Sequence, residues 1–245
     1  MNNRRIPLYF KNPRDGTEMV LIPGGWFFMG NNRGDDPDAY DSEAPRHLHF
    51  VRPFYMAITC ITVAQFRRFV KETGHDAGSD WEEDPDAHPV RYVNWHDARS
   101  YCEWAGLRLP TEAEWELAAR GYKALKYPWG EDWENGRRVC WNNQRGPGGA
   151  TAPVFDHPEG VGVFGTFQQS GNVWEWCEDR YDSDAYKRYA RGDFAPPGSG
   201  EYRVLRGASW SHYDAEFFRG GNRGFSHPQD RNVDGGLRSA RTVTL

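Results

Sequence analysis

This sequence of 245 residues has few cysteines and none of the common cysteine motifs. The four cysteines are Cys60, Cys102, Cys140 and Cys177; they form no CxxC pair and show no zinc-binding spacing. Their neighbours are apolar or aromatic, which favours buried thiols in a reducing compartment, although one disulfide remains open at this point. No GxSxG motif occurs, so the sequence shows no sign of the nucleophile elbow of α/β-hydrolases.

Excess positive charge and long apolar runs are also missing. The formal net charge is −5 and no block of lysine and arginine occurs, so we expect no nucleic-acid partner. The longest uncharged apolar stretch, roughly residues 19–30, is too short and too interrupted by glycine and proline to span a bilayer. The first 16 residues lack the apolar core of a secretory signal. We therefore expect a cytoplasmic protein, with display on a phage or cell surface as another route.

Aromatic residues, glycine and proline are abundant instead. The sequence contains 11 Trp, 12 Tyr and 14 Phe together with 27 Gly and 16 Pro. The aromatic rings can build a sizeable core, while glycine and proline predict a chain with many turns. No tandem repeat and no linker divides the sequence. It predicts a single α+β domain over residues 1–245, with short strands and a few helices.

Three segments carry the signals of capped helices. Thr62 with Gln65 and Thr111 with Glu114 have the spacing of a capping box, and an apolar stripe follows each start. The helices are predicted to begin after Thr62, Asn94 and Thr111 and to end at Gly74, Gly106 and Gly121. Strands are expected within residues 17–30, 47–58, 170–179 and 203–210.

Six segments together resemble the formylglycine-generating-enzyme/sulfatase-modifying-factor family. They are LIPGGWFFMG at 21–30, HPVRYVNWHDARSYCEWAGLRLPTEAEWELAARG at 88–121, YPWG at 127–130, SGNVWEW at 170–176, RVLRGASW at 203–210 and GGLRSAR at 235–241. Their order and spacing fit the family from about residue 17 onward. The resemblance implies a C-type-lectin-like fold of the formylglycine-generating-enzyme subtype.

The resemblance also implies a calcium ion beside the GNVWEW segment. Its ligands would be the side chain of Gln168, the carbonyls of Gly171 and Val173, and the carboxylate of Glu175. Mixed carbonyl and carboxylate oxygens suit calcium. The first position carries glutamine where the family has asparagine or aspartate, which weakens the predicted site.

The family's catalytic cysteine pair is absent from its expected place. Family members hold copper with two cysteines shortly after a GGSW-like segment, here GASW, and the matching positions carry His212 and Phe217. Soft thiolates are the ligands for Cu(I). We therefore expect no copper and no catalysis of the family's kind; the alternative is a formylglycine-type or related metal-dependent oxidase with altered ligands.

A second branch with this fold comprises the variable proteins of diversity-generating retroelements, in which template adenines are randomised. Randomising the two adenines of an asparagine codon never produces Lys, Gln, Glu, Met or Trp. Residues 211–235 contain only Glu216 and Gln229 from that set. The resemblance marks 203–241 as a candidate variable region. The predicted ligand-binding residues are Ser211, His212, Tyr213, Asp214, Phe217, Phe218, Gly220, Gly221, Asn222, Gly224, Phe225, Ser226, His227, Val233 and Asp234.

The favoured hypothesis is therefore a non-catalytic, receptor-type variable protein that displays C-terminal loop residues. Tyrosine and phenylalanine supply rigid contact area, while serine, asparagine and histidine supply adaptable hydrogen bonds. Arg219, Arg223 and Arg231 recur between the candidate contacts and are interpreted as scaffold. The partner would be an unknown protein or surface ligand. A third interpretation is an accessory domain that docks through the acidic loops at 31–44 and 79–87. The oligomeric state is open.

Overall fold

The fold is α+β and rich in loops, as the sequence predicts. A computed structural model describes residues 8–82, 84–133, 139–141 and 150–243. The helices are α1 Val63–Thr73, α2 Trp95–Ala105, α3 Glu112–Arg120 and α4 Ala185–Tyr189. The strands are β1 Tyr9–Lys11, β2 Glu18–Ile22, β3 Gly25–Met29, β4 His47–Val51, β5 Phe54–Ala57, β6 Trp174–Arg180, β7 Arg203–Arg206, β8 Gly224–Ser226, β9 Gly235–Gly236 and β10 Ala240–Thr242.

Local capping sets the first three helices. The Thr62 hydroxyl accepts from the Gln65 amide, the Asn94 side chain accepts from the Asp97 amide, and Thr111 accepts from the Glu114 amide. Each cap satisfies an amide that has no partner within the helix. Helices α1 and α2 stop at glycines in the left-handed region, both with φ of 70°. The predicted starts and stops of these helices are confirmed.

Three small sheets organise the strands. One sheet has the order β1-β2-β5-β10, a two-stranded sheet pairs β3 with β4, and the third has the order β8-β7-β6-β9. In the third sheet β6 pairs antiparallel with β7 and parallel with β9. This sheet brings the GNVWEW segment, RVLRGASW and the C-terminal stretch side by side, although they are far apart in sequence.

Aromatic residues fill the interior. Trp95, Trp115 and Trp176 are at most 2% exposed. Burying such rings removes on the order of 150–250 Å² each from water. The four cysteines are buried thiols rather than disulfides, as predicted. No helix among the described residues has the length and apolar character needed to cross a membrane.

Candidate functional site

The third sheet positions the candidate site at the end of β7. After this strand the chain passes through Gly207 and Ala208, both with positive φ, and reaches Ser209. The amide of Gly171 donates to the carbonyl of Gly207 over 2.7 Å, which fixes this turn against the GNVWEW segment. Ser209 is fully buried. The segment that follows it therefore starts from a rigid point in the core.

A cluster of three side chains surrounds the Asp234 carboxylate. The hydroxyls of Ser209 and Ser211 donate to Asp234 Oδ2 over 2.6 and 3.0 Å. Ser209 Oγ also lies 3.1 Å from His212 Nδ1. Because the Ser209 proton points to Asp234, His212 donates its Nδ1 proton to Ser209, and Nε2 keeps its lone pair.

Burial keeps the His212 ring neutral. It lowers the pKa of His212, and the nearby Asp234 carboxylate opposes that effect without overcoming it. The ring lies edge-on to Trp174, with centroids 5.4 Å apart, and 4.5 Å from the Phe217 ring. The cluster thus presents a neutral imidazole acceptor next to aromatic surface.

An open groove of about 470 Å³ adjoins this cluster. Its lining residues include Trp174, Phe217 and Phe225 together with residues 40–42. Phe225 is 49% exposed and stacks on Tyr181 with centroids 4.3 Å apart. Five of the ten lining residues are aromatic, so the groove can receive an apolar or aromatic group. His212 is not itself a lining residue, but its ring packs against Trp174 and Phe217, which are.

The predicted ligand-binding residues divide into three groups by exposure. Tyr213, Asp214, Phe225 and Val233 are exposed. The partly exposed residues are Ser211, His212, Phe217, Gly224, Ser226, His227 and Asp234. The remaining four, Phe218, Gly220, Gly221 and Asn222, are buried.

The buried group corrects the expectation of one continuous display surface. Phe218 packs among the rings of Trp133 and Trp141, with centroids 5.0 and 6.2 Å away. The side-chain amide of Asn222 donates to the carbonyl of Phe217. These residues therefore belong to the interior. The sequence could not show this, because local composition does not reveal which loop residues turn inward.

Three glycines in the predicted variable runs are held by close packing. A Cβ at Gly220 would lie 2.6 Å from Arg120 Cγ. A Cβ at Gly221 would overlap the Asn31 amide and lie 3.2 Å from the Arg120 guanidinium. A Cβ at Gly224 would lie 2.9 Å from the Trp174 ring. Such approaches require a neighbour to shift. These positions therefore oppose diversification, whereas the exposed positions tolerate it.

The predicted calcium residues lie near one another, but their side chains are occupied. Gln168 donates to the carbonyls of Pro153 and Asp156 over 3.0 and 2.8 Å, and its oxygen accepts from Asn172. The Glu175 carboxylate is fully buried and accepts from Arg238, Trp115 and Cys60. A guanidinium already neutralises this carboxylate. The arrangement does not fit calcium, and the calcium prediction gains no support from it.

Buried arginines anchor the C-terminal segment. Arg219 pairs with Glu43, Arg223 with Glu112, and Arg238 with Glu175, each over 2.7 Å. The three guanidinium side chains are fully buried. Arg231 bonds Asp97 over 2.8 Å at the surface of the segment. The scaffold interpretation of Arg219, Arg223 and Arg231 is therefore confirmed.

Several site residues escaped the sequence analysis. Ser209 was absent from the predicted contacts, although the GASW motif that carries it was recognised. Tyr40 and Asp41 line the groove from the acidic loop at 31–44, which was predicted only as a docking loop, and Tyr181 lines it without having been predicted. Among the described residues no group of three or more His, Cys, Asp or Glu side chains is arranged to hold a metal ion.

Comparison with known proteins identifies the family. The chain is 35% identical to the formylglycine-generating enzyme of Streptomyces coelicolor, covering 95% of this chain and 92% of that protein. It is 30% identical to the hercynine oxygenase of Mycolicibacterium smegmatis, covering 97% of this chain and 64% of that protein.

Solved structures share the fold. PvdO from Pseudomonas aeruginosa matches with a TM-score of 0.83 and 26% identity, over 98% of this chain and all of that one. Treponema denticola variable protein 1 matches with a TM-score of 0.76 over 96% of this chain and 99% of that one; at 23% identity it shows the fold alone. Residues 6–243 match the sulfatase-modifying factor enzyme 1-like domain, and the chain belongs to that family.

Proposed function

We propose that this chain is a ligand-binding domain that acts through the groove beside His212. The observation that carries this proposal is the set of accessible aromatic rings, Trp174, Phe217 and Phe225, that line the groove. Rigid aromatic side chains give contact area at low cost in conformational entropy. The ligand would be a peptide or similar chain that inserts an apolar or aromatic group.

The Asp234–Ser209–His212 chain of hydrogen bonds supports a specific polar contact. It directs the His212 Nδ1 proton inward and leaves Nε2 as an acceptor. A ligand N–H or O–H group is the complementary partner. The groove would thus combine apolar contact with one oriented hydrogen bond, which is typical of small-ligand and peptide sites.

Selection from a displayed peptide library tests the binding function. We expect enriched peptides to bind the wild type and to lose at least tenfold in affinity on Phe225→Ala. Phe155→Ala is the matched control, because Phe155 is 55% exposed and lies outside the groove lining. The proposal fails if no peptide is enriched over the bare support, or if Phe155→Ala weakens binding as much as Phe225→Ala.

A metal-dependent oxidase with altered ligands is the second candidate. The comparisons favour it, since the two relatives described above are named as enzymes. The residues do not fit copper: Phe217 offers no ligand atom, and Cu(I) prefers thiolates. His212 and Asp234 offer one nitrogen and one carboxylate, a donor set for a harder metal.

Oxygen uptake separates the two candidates. The protein would be loaded with Cu(I) or Fe(II) and given a cysteine-containing peptide in air. Oxygen consumption and a mass change of the peptide that disappear in His212→Ala would establish the oxidase. An unmodified peptide with both metals excludes this reaction and leaves the binding function standing.

The retroelement origin is a finer proposal about the same surface. The exposed positions Tyr213, Asp214, Phe225 and Val233 support it, because substitutions there meet little packing resistance. The buried positions and the three packed glycines limit diversification to part of 211–235. The favoured ligand would then be particular to this copy of the gene.

A further inference from the structure

A second cavity lies away from the groove, between the β3–β4 hairpin and the start of α3. Its volume is about 140 Å³, close to the engineered cavity of roughly 150 Å³ that binds benzene. A ligand of about six non-hydrogen atoms therefore fits. The lining residues are Met29, His49, Thr111, Glu112, Ala113, Asp179, Tyr189, Phe194 and Pro196.

Aromatic rings enclose the polar part of this cavity. The His49 ring lies edge-on to both Tyr189 and Phe194, with centroids 5.1 Å away in each case. His49 Nδ1 is buried and has no hydrogen-bond partner. Burial, together with the neighbouring His47, lowers the pKa of His49 to about 4, so the ring is neutral at physiological pH. His49 thus places a neutral, polar ring against the aromatic side chains of the cavity.

Asp179 is the acidic group of the cavity, and no lysine or arginine is among the lining residues. Arg203, which lies outside the lining, attracts Asp179 electrostatically. Its Oδ2 accepts from the Glu112 amide over 2.6 Å. The charged groups that act on it most strongly are the carboxylates of Glu112, Glu114 and Glu178. Burial and these carboxylates raise the pKa of Asp179 to about 7, against the effect of the Glu112 amide.

Glu112 cannot serve as the acidic group that meets a ligand. Its carboxylate accepts from Arg206, Arg223 and Tyr186. An anion is disfavoured as well, because Asp179 already occupies the first amide of α3 and its surroundings are negative. What the cavity lacks is a donor with positive charge.

We propose that this cavity is a binding site for a small primary ammonium cation, held by Asp179 and His49 and enclosed by the rings of Tyr189 and Phe194. The ammonium group donates to the carboxylate and to the imidazole. The two rings contribute cation–π attraction to a desolvated cation. The short carbon chain fills the apolar space beside Met29 and Ala113. This site is separate from the groove and does not depend on the function proposed there.

Titration calorimetry with n-butylammonium tests the site on the whole chain. We expect saturable binding at pH 8, and no binding of 1-butanol or butyrate, which have similar size but are neutral and anionic. Asp179→Asn should weaken binding at least tenfold. Glu18→Gln makes the same change of charge at an exposed position and should bind like the wild type.

The pH dependence supplies a test that needs no variant. The ammonium stays protonated from pH 5.5 to 8.5, as lysine does. Affinity should rise up to tenfold per pH unit up to about pH 7 and then level off, because binding requires the ionised Asp179. The charged or titratable groups around Asp179 are Glu112 and Glu114 from α3, Cys177 and Glu178 from β6, Arg203 from β7, His49 from β4 and Tyr189 from α4.

The three ligands and the pH profile distinguish an ammonium-binding site from a cavity that binds any small apolar ligand. Equal binding of 1-butanol and n-butylammonium would overturn it, as would an affinity that does not change across the pH range. If circular dichroism shows that Asp179→Asn is unfolded, the pH profile and the three ligands decide the question with the wild type alone. Absence of saturable binding by the wild type also overturns it.

Discussion

Replacing Glu175 with glutamine tests whether this residue holds the core or a metal. The Oε1 atom accepts from Arg238 Nη2 over 2.7 Å and Oε2 accepts from Trp115 Nε1 over 2.6 Å. Glutamine replaces one of these oxygens with an NH₂ group. In either orientation of the glutamine side chain, its NH₂ group faces an N–H donor of Arg238 or Trp115. The Arg238 guanidinium also loses its counter-charge at a fully buried position.

The expected loss follows from the cost of breaking a buried ion pair. Removing one partner of such a pair costs about 3–5 kcal/mol, since the other charge remains buried. For a chain of this size each kcal/mol corresponds to roughly 2–4 °C in melting temperature. We expect Glu175→Gln to lower the melting temperature by about 6–20 °C in a calorimetric scan.

Glu103→Gln is the matched control. Glu103 pairs with Arg99 over 2.8 Å on α2, and both side chains are more than half exposed. A surface pair of this kind contributes at most about 1 kcal/mol. Its melting temperature should therefore stay within a few degrees of the wild type.

Calcium and chelator distinguish the ion pair from a metal site. If Arg238 neutralises Glu175, the wild type melts at the same temperature in calcium and in EDTA. A bound ion would instead stabilise the fold in proportion to the logarithm of its concentration. The reasoning is refuted if EDTA destabilises the wild type and Glu175→Gln abolishes that response.

Three further predictions concern acid stability, packing and the gene. Burial raises the pKa of Glu116, but Arg206 and Arg120 outweigh burial and lower the pKa to about 2. The ionised Glu116 therefore stabilises the fold at pH values above its unfolded-state pKa of about 4.5. The free energy of unfolding, measured in urea, should fall by roughly 3 kcal/mol as the pH is lowered to 2. Gly221→Ala should destabilise by about 1–3 kcal/mol because of its approach to Asn31, whereas Val233→Ala at an exposed position should not. If the retroelement proposal holds, a template repeat near the gene should carry adenines at the codons of exposed positions such as 213, 225 and 233, but not at 221 or 224; a repeat that varies the glycines would contradict the packing argument.

Local signals explain what the sequence could predict. The boundaries of α1, α2 and α3 follow from capping side chains and terminal glycines within a few residues of each helix end. The aromatic content correctly indicated a substantial core. Family membership could be predicted because whole segments such as GNVWEW match, and these segments contain β7, β9 and the first part of β6 in the third sheet.

Long-range pairing explains what the sequence could not predict. Glu175 was assigned to calcium from the family resemblance. Its ion pair with Arg238 could not be predicted, because the two residues are 63 positions apart and no local pattern links them. Phe218 and Asn222 were predicted as contacts because their types suit a binding loop, while the structure turns them inward. The Asp179 cavity requires β4, α3 and the loop around Phe194 to meet, and short-range patterns carry no information about that meeting.

The buried arginine–carboxylate pairs explain how the fold can keep its structure while the residues at positions 212 and 217 change. Arg219, Arg223 and Arg238 fasten the C-terminal segment to carboxylates contributed by other parts of the chain. Because these anchors are distinct from His212 and Phe217, the two positions can change without loss of the ion pairs that hold the segment. With His212 and Phe217 in place of the cysteine pair that the resemblance implies, the segment has no thiolate ligands for copper, and Phe217 becomes part of the groove lining. The binding function proposed above uses this geometry and requires no cofactor.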